Sequence, residues 1–372
     1  MVIMASWVLM PVKSVDTPEP RYKVEKPGPV FDTITMFFAG DMMGHQGMIT
    51  AAWNQTEKKY SYSHWFRYVR PHIEAADFAV ANLEVTLAGA PYKGYPQFSS
   101  PDPFAAGLKD AGLDLLITAN NHSQDRGRRG LERTLKILDS VGIPHTGTFI
   151  DGSQREKNYP WISTVHGLRI AVLNATYGTN GLVVQKPNIV NLIDTAEMRR
   201  DIRSARQRGA QFIIVTLHWG LEYQRQESPD QMRLARWLAE KGADAIIGMH
   251  PHVVQPMKIL TDPQDSTRRI PVAFSLGNYI SNQRERFRDG GIGLMLRVVI
   301  NGGIPIWHSW GYIPVWCQAG GTPFGFYPVP VSLFEKDSAA FNLTPNETMR
   351  LRQFAADTRS LLQGVPEFMP KK

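Results

Sequence analysis

The sequence predicts an α/β fold, and three observations carry that reading. Apolar strand-like runs alternate with amphipathic helical segments from about Thr33 to His252, and five of those runs end on residue types that bind metals. From Ile270 the helices drop out, leaving strand patterns joined by Gly, Pro and Asn turns. With 372 residues, 43% hydrophobic and 20% charged, the composition is that of a globular protein with ample core. One continuous domain is expected over 31–335, after a Pro- and charge-rich leader at 1–30 and before a helical appendage at 336–372.

Each element follows from its own pattern. Thr33–Gly40 (TITMFFAG) reads as a buried strand ending at Gly40-Asp41, HWFRYVRPHIEAA as a helix, and DFAVANLE as a central strand ending on Glu84. PDPFAAGLKDAG opens on Asp102-Pro103 as N-cap and first-turn pair and closes on Gly112; LDLLITAN then leads to Asn120, Asn121 and His122. RGLERTLKILDSVG is an amphipathic helix, RIAVLNATYG a strand, DTAEMRRDIRSARQRG a polar-faced helix and QFIIVTLHWG a strand ending on His218. SPDQMRLARWLAEKG carries Ser228 as N-cap and Gly242 as its stop, before the short strand DAIIGMHPH, which ends on His250 and His252. PVAFSLGNYI, GIGLMLRVVI and the segments up to Val331 then form an antiparallel region. Within it IPIWHSWGYIPVWC is expected as core and edge strand, with His308 satisfying a core hydrogen bond. NETMRLRQFAADTRSLLQG is a last amphipathic helix.

Composition narrows the function classes. The formal charge is +7 and the pI about 9.4, with Lys and Arg scattered, which describes a solvated basic surface that favours anionic substrates through its field. No basic helix or aromatic stacking motif speaks for a nucleic-acid partner. Cys317 is the sole cysteine, so an internal disulfide and a multi-thiolate zinc site are excluded and any metal must use His, Asp, Glu or Asn. The start, MVIMASWVLMPVKS, is too short to span a bilayer and reads as the remnant of a signal or anchor.

The chemistry lies where the strands end. Asp41, Glu84, Asn121 with His122, His218, and His250 with His252 each follow a strand-like run, and in an open α/β sheet such ends face one crevice. Singly, each has an ordinary explanation as a cap or a satisfied histidine; their recurrence points to a shared metal site. Carboxylate, carboxamide and imidazole donors without sulfur suit Mn, Zn or Fe, as one ion or two. A pair of ions about 3.5–4 Å apart would activate water for attack on phosphorus or a carbonyl carbon, with no protein nucleophile.

GDMMGH at Gly40–His45, NLE at Asn82–Glu84, YPQFSSPD at Tyr95–Asp102 and ANNHSQDRG at Ala119–Gly127 occur in one order with HWGLEY at His218–Tyr223, HPHVVQP at His250–Pro256 and FSLGNYI at Phe274–Ile280. Over roughly Thr35 to Gln283 the chain thereby resembles the poly-γ-glutamate capsule-biosynthesis proteins of CapA type, themselves similar to calcineurin-like metallophosphoesterases. The resemblance implies a metallophosphatase-like layered α-β-β-α sandwich with two mixed sheets. It implies Asp41 at one metal, Asn121, His218 and His250 at a second, His252 returning to the first, and Glu84 between them. Those enzymes usually carry Asp at the bridging position and Asp-x-His in the first motif, where this chain has Glu84 and Asp41-x-x-x-His45. The longer Glu84 bridges if its strand sits further back, and His45 serves either metal or substrate.

By the same resemblance His122 polarises substrate or protonates the leaving group. Asp125 either accepts the ring N–H of His122 or caps the following helix. His45, Asn120, Glu222, Ser275 and Asn278 are expected on the substrate side, with Glu222 alternatively orienting His218. Ser99 and Ser100 are candidates for polar contacts, and Arg126, Arg128 and Arg129 for holding an anionic polymer or a phosphoester.

Two functions fit these residues. One is a metal-dependent hydrolase of a γ-glutamyl amide or phosphoester; the other is a capsule polymer assembly or tethering component with little turnover. The resemblance implies a place in the cell envelope or on the periplasmic face of a bacterial membrane, with capsule-biosynthesis membrane proteins as partners.

Overall fold

The computed structural model describes residues 33–319 and 325–368; the expected leader at 1–30 lies outside the described residues. Strands β1 (Thr33–Met42), β2 (Phe78–Leu83), β3 (Leu115–Ile117) and β4 (His145–Thr146) run parallel in that order. Helices α1 (Gln46–Ala52), α2 (Pro103–Asp110) and α3 (Gly127–Val141) lie between them in the chain.

A second sheet follows, built from β5 (Trp161–Val165), β6 (Leu168–Thr176), β7 (Phe212–His218), β8 (Ala245–Met249), β9 (Met257–Thr261) and β10 (Arg269–Ala273). Its order is β9-β10-β8-β7-β6-β5, with β6, β7, β8 and β10 parallel and the two edge strands antiparallel. Helices α4 (Thr195–Gln207) and α5 (Pro229–Lys241) supply its crossovers. The chain then returns to the first sheet through β11 (Asn278–Ile280), β12 (Gly290–Asn301), β13 (Ile304–Gln318) and β14 (Tyr327–Pro330). That sheet has the order β14-β13-β12-β1-β2-β3-β4, with β11 also paired to β1.

Strand alternation explains the layers. In β1, Ile34, Met36 and Phe38 join Val80, Ile117, Val172, Ile214 and Ile247 in a core between the sheets. Phe37 and Ala39 face the other way, against Phe104, Leu108 and Leu138 on the helical side. The second sheet's outer face packs Ala171, Ile213 and Val215 on Met198, Ile202, Ala235 and Leu238. Both faces of the central strands are therefore buried, which is why they read as continuous apolar runs. The result is the α-β-β-α sandwich of two mixed sheets. A final helix, α6 (Pro345–Leu361), caps itself with a Thr344–Glu347 box and buries Leu351, Phe354 and Ala355 against Trp316 and Val329.

Several local expectations are corrected. The stretch HWFRYVRPHIEAA is helical only over Arg70–Glu74, where Pro71 occupies the first turn; Trp65, Phe66 and Val69 reach the core from preceding turns. Asp102 caps nothing, because its carboxylate takes both arms of Arg133 at 2.6 and 2.7 Å. PVAFSLGNYI is two strands in different sheets, and the strands from Gly290 onward extend the first sheet beside β1. His308 is exposed on β13 and belongs to no core.

The crossing from β10 to β11 is the tightest seam. The Asp41 N–H donates to the Gly277 carbonyl at 3.0 Å, and a Cβ on Gly40 would stand 2.0 Å from that same oxygen. Gly40→Ala should therefore cost about 3 kcal/mol, as overpacking does at a site that cannot relax. Gly152→Ala, with open space around it, should stay within about 0.5 kcal/mol. Urea denaturation of both variants checks this; equal midpoints would refute the seam.

Candidate metal centre

The C-terminal ends of β1, β2 and β3 from one sheet meet those of β7 and β8 from the other, so the expected crevice lies between two sheets and not along one. β1 and β2 slip register at Ala39–Asp41, as a bulge does, and Asp41 is fully buried there. Glu84 follows β2 directly, His218 is the last residue of β7, and His250 follows β8. His250 and His252 take positive φ of 100° and 58°, a conformation non-glycine residues hold only when the surroundings impose it. The backbone supplies that restraint: Trp219 N–H donates to Met249 O at 3.1 Å and Tyr223 N–H to Pro251 O at 2.8 Å.

These turns bring Asp41, Glu84, His218, His250 and His252 together, all buried. Their donor atoms form two groups, Asp41–Glu84–His218 and Glu84–His250–His252, each with its atoms within 4.8 Å of one another. Glu84 is common to both. Other contacts run across the two groups: His252 Nδ1 lies 3.3 Å from Asp41 Oδ2, and the His218 and His250 ring centroids are 4.7 Å apart. Asn121 Oδ1 lies 2.8 Å from His218 Nε2, and its Nδ2 donates a hydrogen bond to Asn180 Oδ1 at 3.2 Å.

The electrostatics fit a cation. Burial, reinforced by the adjacent Asp41 carboxylate, raises the Glu84 carboxyl well above its usual range. Burial and the neighbouring imidazoles push His218 well below its ordinary value and His250 down to about 3. Two of these atoms, Glu84 Oε1 and His250 Nδ1, are buried with no hydrogen-bond partner among the described residues. Unprotonated imidazoles and crowded carboxylates with unpaired donor atoms form a set that a divalent ion compensates.

The surrounding residues divide into groups that hold the ligands and groups left for substrate. Asn278 bonds His252 Nδ1 through Oδ1 at 3.0 Å, and its Nδ2 donates to Arg288 O at 2.8 Å. It therefore orients His252, leaving Nε2 toward Glu84 at 3.7 Å. Ser275 Oγ is used by Val253 O and Gly277 N, and the Asn120 amide by Asn82, Leu83 O and His122 N, so both brace the scaffold around the centre. Ser99 is likewise buried, donating to Gly89 O. His45 stands at the edge, its Nδ1 accepting from Asn282 N at 3.2 Å and its pKa lowered to about 3 by burial, with His252 and His122 adding to it.

Asp125 holds His122 Nδ1 at 2.8 Å and also accepts the Phe98 N–H at 2.7 Å, while Arg126 occupies the helix cap. This leaves His122 Nε2 for a reacting group. Glu222 is exposed, and the His218 nitrogens are engaged by Asn121 and Asn82, so Glu222 does not orient that ring.

Four residues escaped the sequence reading. Asn82 donates to Asp41 at 2.8 Å and approaches Glu84 and His218 at 3.4 and 3.3 Å, making it the hub of the cluster. Its period-2 relation to Glu84 on one strand face was the available signal. Tyr177 lies over His250 and His218, with ring centroids at 4.5 and 6.4 Å. Tyr223 and Arg288 lie beside His252, joined only through the fold.

Fold and site together define an α-β-β-α sandwich with a buried imidazole–carboxylate centre suited to divalent metal. The chain belongs to the family described as "Bacterial capsule synthesis protein PGA_cap", which matches residues 35–283. It is similar to the capsule biosynthesis protein CapA of Bacillus anthracis, 26% identical over 268 residues covering 68% of this chain and 61% of that one. It is also similar to the PGA biosynthesis protein CapA of Bacillus subtilis, 29% identical over 259 residues covering 68% and 64%. The chain thus spans about three fifths of the length of these relatives. Among solved structures it is similar to the calcineurin-like phosphoesterase YfkN of Bacillus subtilis, with TM-score 0.44 and 14% identity, covering 88% of this chain and 98% of that one.

Asn278→Ala should weaken binding of Mn²⁺ about 10- to 100-fold by freeing the His252 ring, as loss of such supporting bonds does. Titration calorimetry on the metal-stripped protein measures this; unchanged affinity would show that Asn278 does not act on the centre.

Proposed function

We propose that this chain is a metal-dependent hydrolase of the cell envelope that cuts a γ-glutamyl amide or a phosphoester in an anionic polymer. The observation that carries the reading is the conjunction of a buried two-group donor cluster sharing Glu84 with the His122–Asp125 pair beside it. Bound divalent ions supply Lewis acidity toward a phosphoryl or carbonyl oxygen and make water a nucleophile near neutral pH. The imidazole–carboxylate donor set favours Mn, Zn or Fe.

The chain's own residues supply the rest. Asp41, Glu84, Asn121, His218, His250 and His252 hold the ions. His122, fixed through Nδ1 by Asp125, carries a proton on Nε2 to the departing oxygen or nitrogen. Arg126, Arg128 and Arg129 line a cleft with Gln185 just past the His122 turn, a place for the charges of a polymer. The names of the capsule and PGA biosynthesis relatives support γ-glutamyl polymer over a small phosphoester, and they motivate the envelope location. Among the described residues no helix is long and apolar enough to cross a membrane.

The test is turnover by the Mn²⁺-loaded protein of a γ-glutamyl oligomer, followed by mass spectrometry, and of a generic phosphodiester. His122→Ala should lower kcat about 10²- to 10⁴-fold, the usual contribution of a general acid, with metal content retained. Binding of the oligomer without cleavage of either substrate would overturn the hydrolase reading in favour of a polymer assembly or tethering role.

A further inference from the structure

The mouth of the centre carries exposed tyrosines and one arginine that the hydrolytic machinery does not use. Tyr95, Tyr177 and Tyr223 are 73%, 49% and 37% exposed, although large aromatic side chains ordinarily hide. Tyr223 has φ +66°, and its backbone N–H is tied to Pro251 O between the two metal-site histidines. Its ring lies 6.1 Å from that of His252, and the Arg288 guanidinium lies over it, 3.3 Å from the ring centroid. Stacking of this kind fixes the plane of a guanidinium while leaving its N–H edge able to donate.

We infer that Arg288, laid on Tyr223 beside His252, forms an oxyanion subsite that binds a carboxylate of the substrate next to the group being cut. The inference rests on the proposed hydrolysis of a γ-glutamyl polymer and adds the residue that selects it. Each γ-glutamyl unit carries a free α-carboxylate a few bonds from its amide, and Arg288 is one aromatic ring removed from a metal-site histidine.

The neighbouring arginines single Arg288 out. Arg284 is spent on the carbonyls of Cys317 and Ser281, and Arg286 is held by both oxygens of Asp357. Arg225 donates to the Asp357 carbonyl and stacks on Phe287. Arg288 instead pairs with Glu285, a side chain 71% exposed, and such a surface pair is weak enough for a substrate carboxylate to displace. Its position is nevertheless defined, because Asn278 grips the Arg288 carbonyl with one end of its amide and His252 with the other. One buried side chain thus sets the spacing between subsite and centre. A carboxylate arriving there meets a planar donor fork matched to its geometry.

The experiment compares Mn²⁺-loaded wild type, Arg288→Gln and Arg288→Lys on a γ-glutamyl oligomer and on the same oligomer with its α-carboxylates amidated. Turnover and calorimetric binding are both read, with circular dichroism and metal content as checks on folding. Wild type should prefer the charged oligomer, chiefly through KM, on the order of tenfold, the worth of one charge-assisted bond. Arg288→Gln should erase that preference and Arg288→Lys retain part of it. A preference that survives in Arg288→Gln overturns the subsite. If wild type cuts neither oligomer, the hydrolase reading fails by itself, and calorimetry still decides: loss of the binding preference in Arg288→Gln upholds the subsite, and its persistence refutes it.

Discussion

The Asp41 N–H reaches the Gly277 carbonyl at 3.0 Å, and around that bond the two sheets are fastened at the ends that carry the chemistry. Gly40 permits the approach by lacking a Cβ, and the chain leaving Gly277 enters β11, where Asn278 pairs with Asp41. From that pairing the rest of the centre follows in short steps. Asn278 turns His252, the strained turn carrying His250 and His252 faces Asp41, and Asn82 on the adjoining strand draws Asp41, Glu84 and His218 around one amide. A displacement of the seam would therefore move ligands from both sheets at once.

The centre also explains how a buried patch so rich in ionisable groups is tolerated. Two carboxylates and three imidazoles in an apolar setting repel or desolvate one another, which is why Glu84 is driven toward its neutral form and His218 and His250 away from their charged ones. Protein atoms alone leave Glu84 Oε1 and His250 Nδ1 unanswered among the described residues. Divalent cations bound there would offset that deficit, since ligands preorganised by the backbone lose little freedom on binding. Glu84 stands one residue beyond the end of β2 and is common to both donor groups.

Much of this was legible in the sequence because it is local. The Ser228 cap, the Gly242 stop and the strand ends at Asp41, Glu84, His218 and His250 depend on neighbours in the chain, and their patterns are local. What escaped depends on distant contacts. No pattern shows that PVAFSLGNYI crosses between sheets, and without that crossing Ser275 and Asn278 look like substrate groups and not parts of a seam. The bracing role of Asn120 was hidden for the same reason: its bonds go to Asn82 and Leu83 O, thirty-odd positions back in the chain. His308 looked internal because it lies in an aromatic run, yet that end of β13 emerges into solvent. Arg288 meets Tyr223 only once β7, β8 and β11 are assembled.

The claim on which everything else stands is that Glu84 is shared by two cation positions. Metal analysis of the purified, metal-loaded protein tests it directly, by counting ions per chain in wild type, His252→Ala and Glu84→Gln while circular dichroism confirms folding. Two divalent ions are expected in wild type, one in His252→Ala, and neither firmly held in Glu84→Gln. A wild type that holds none, or a Glu84→Gln protein that keeps both, would contradict it.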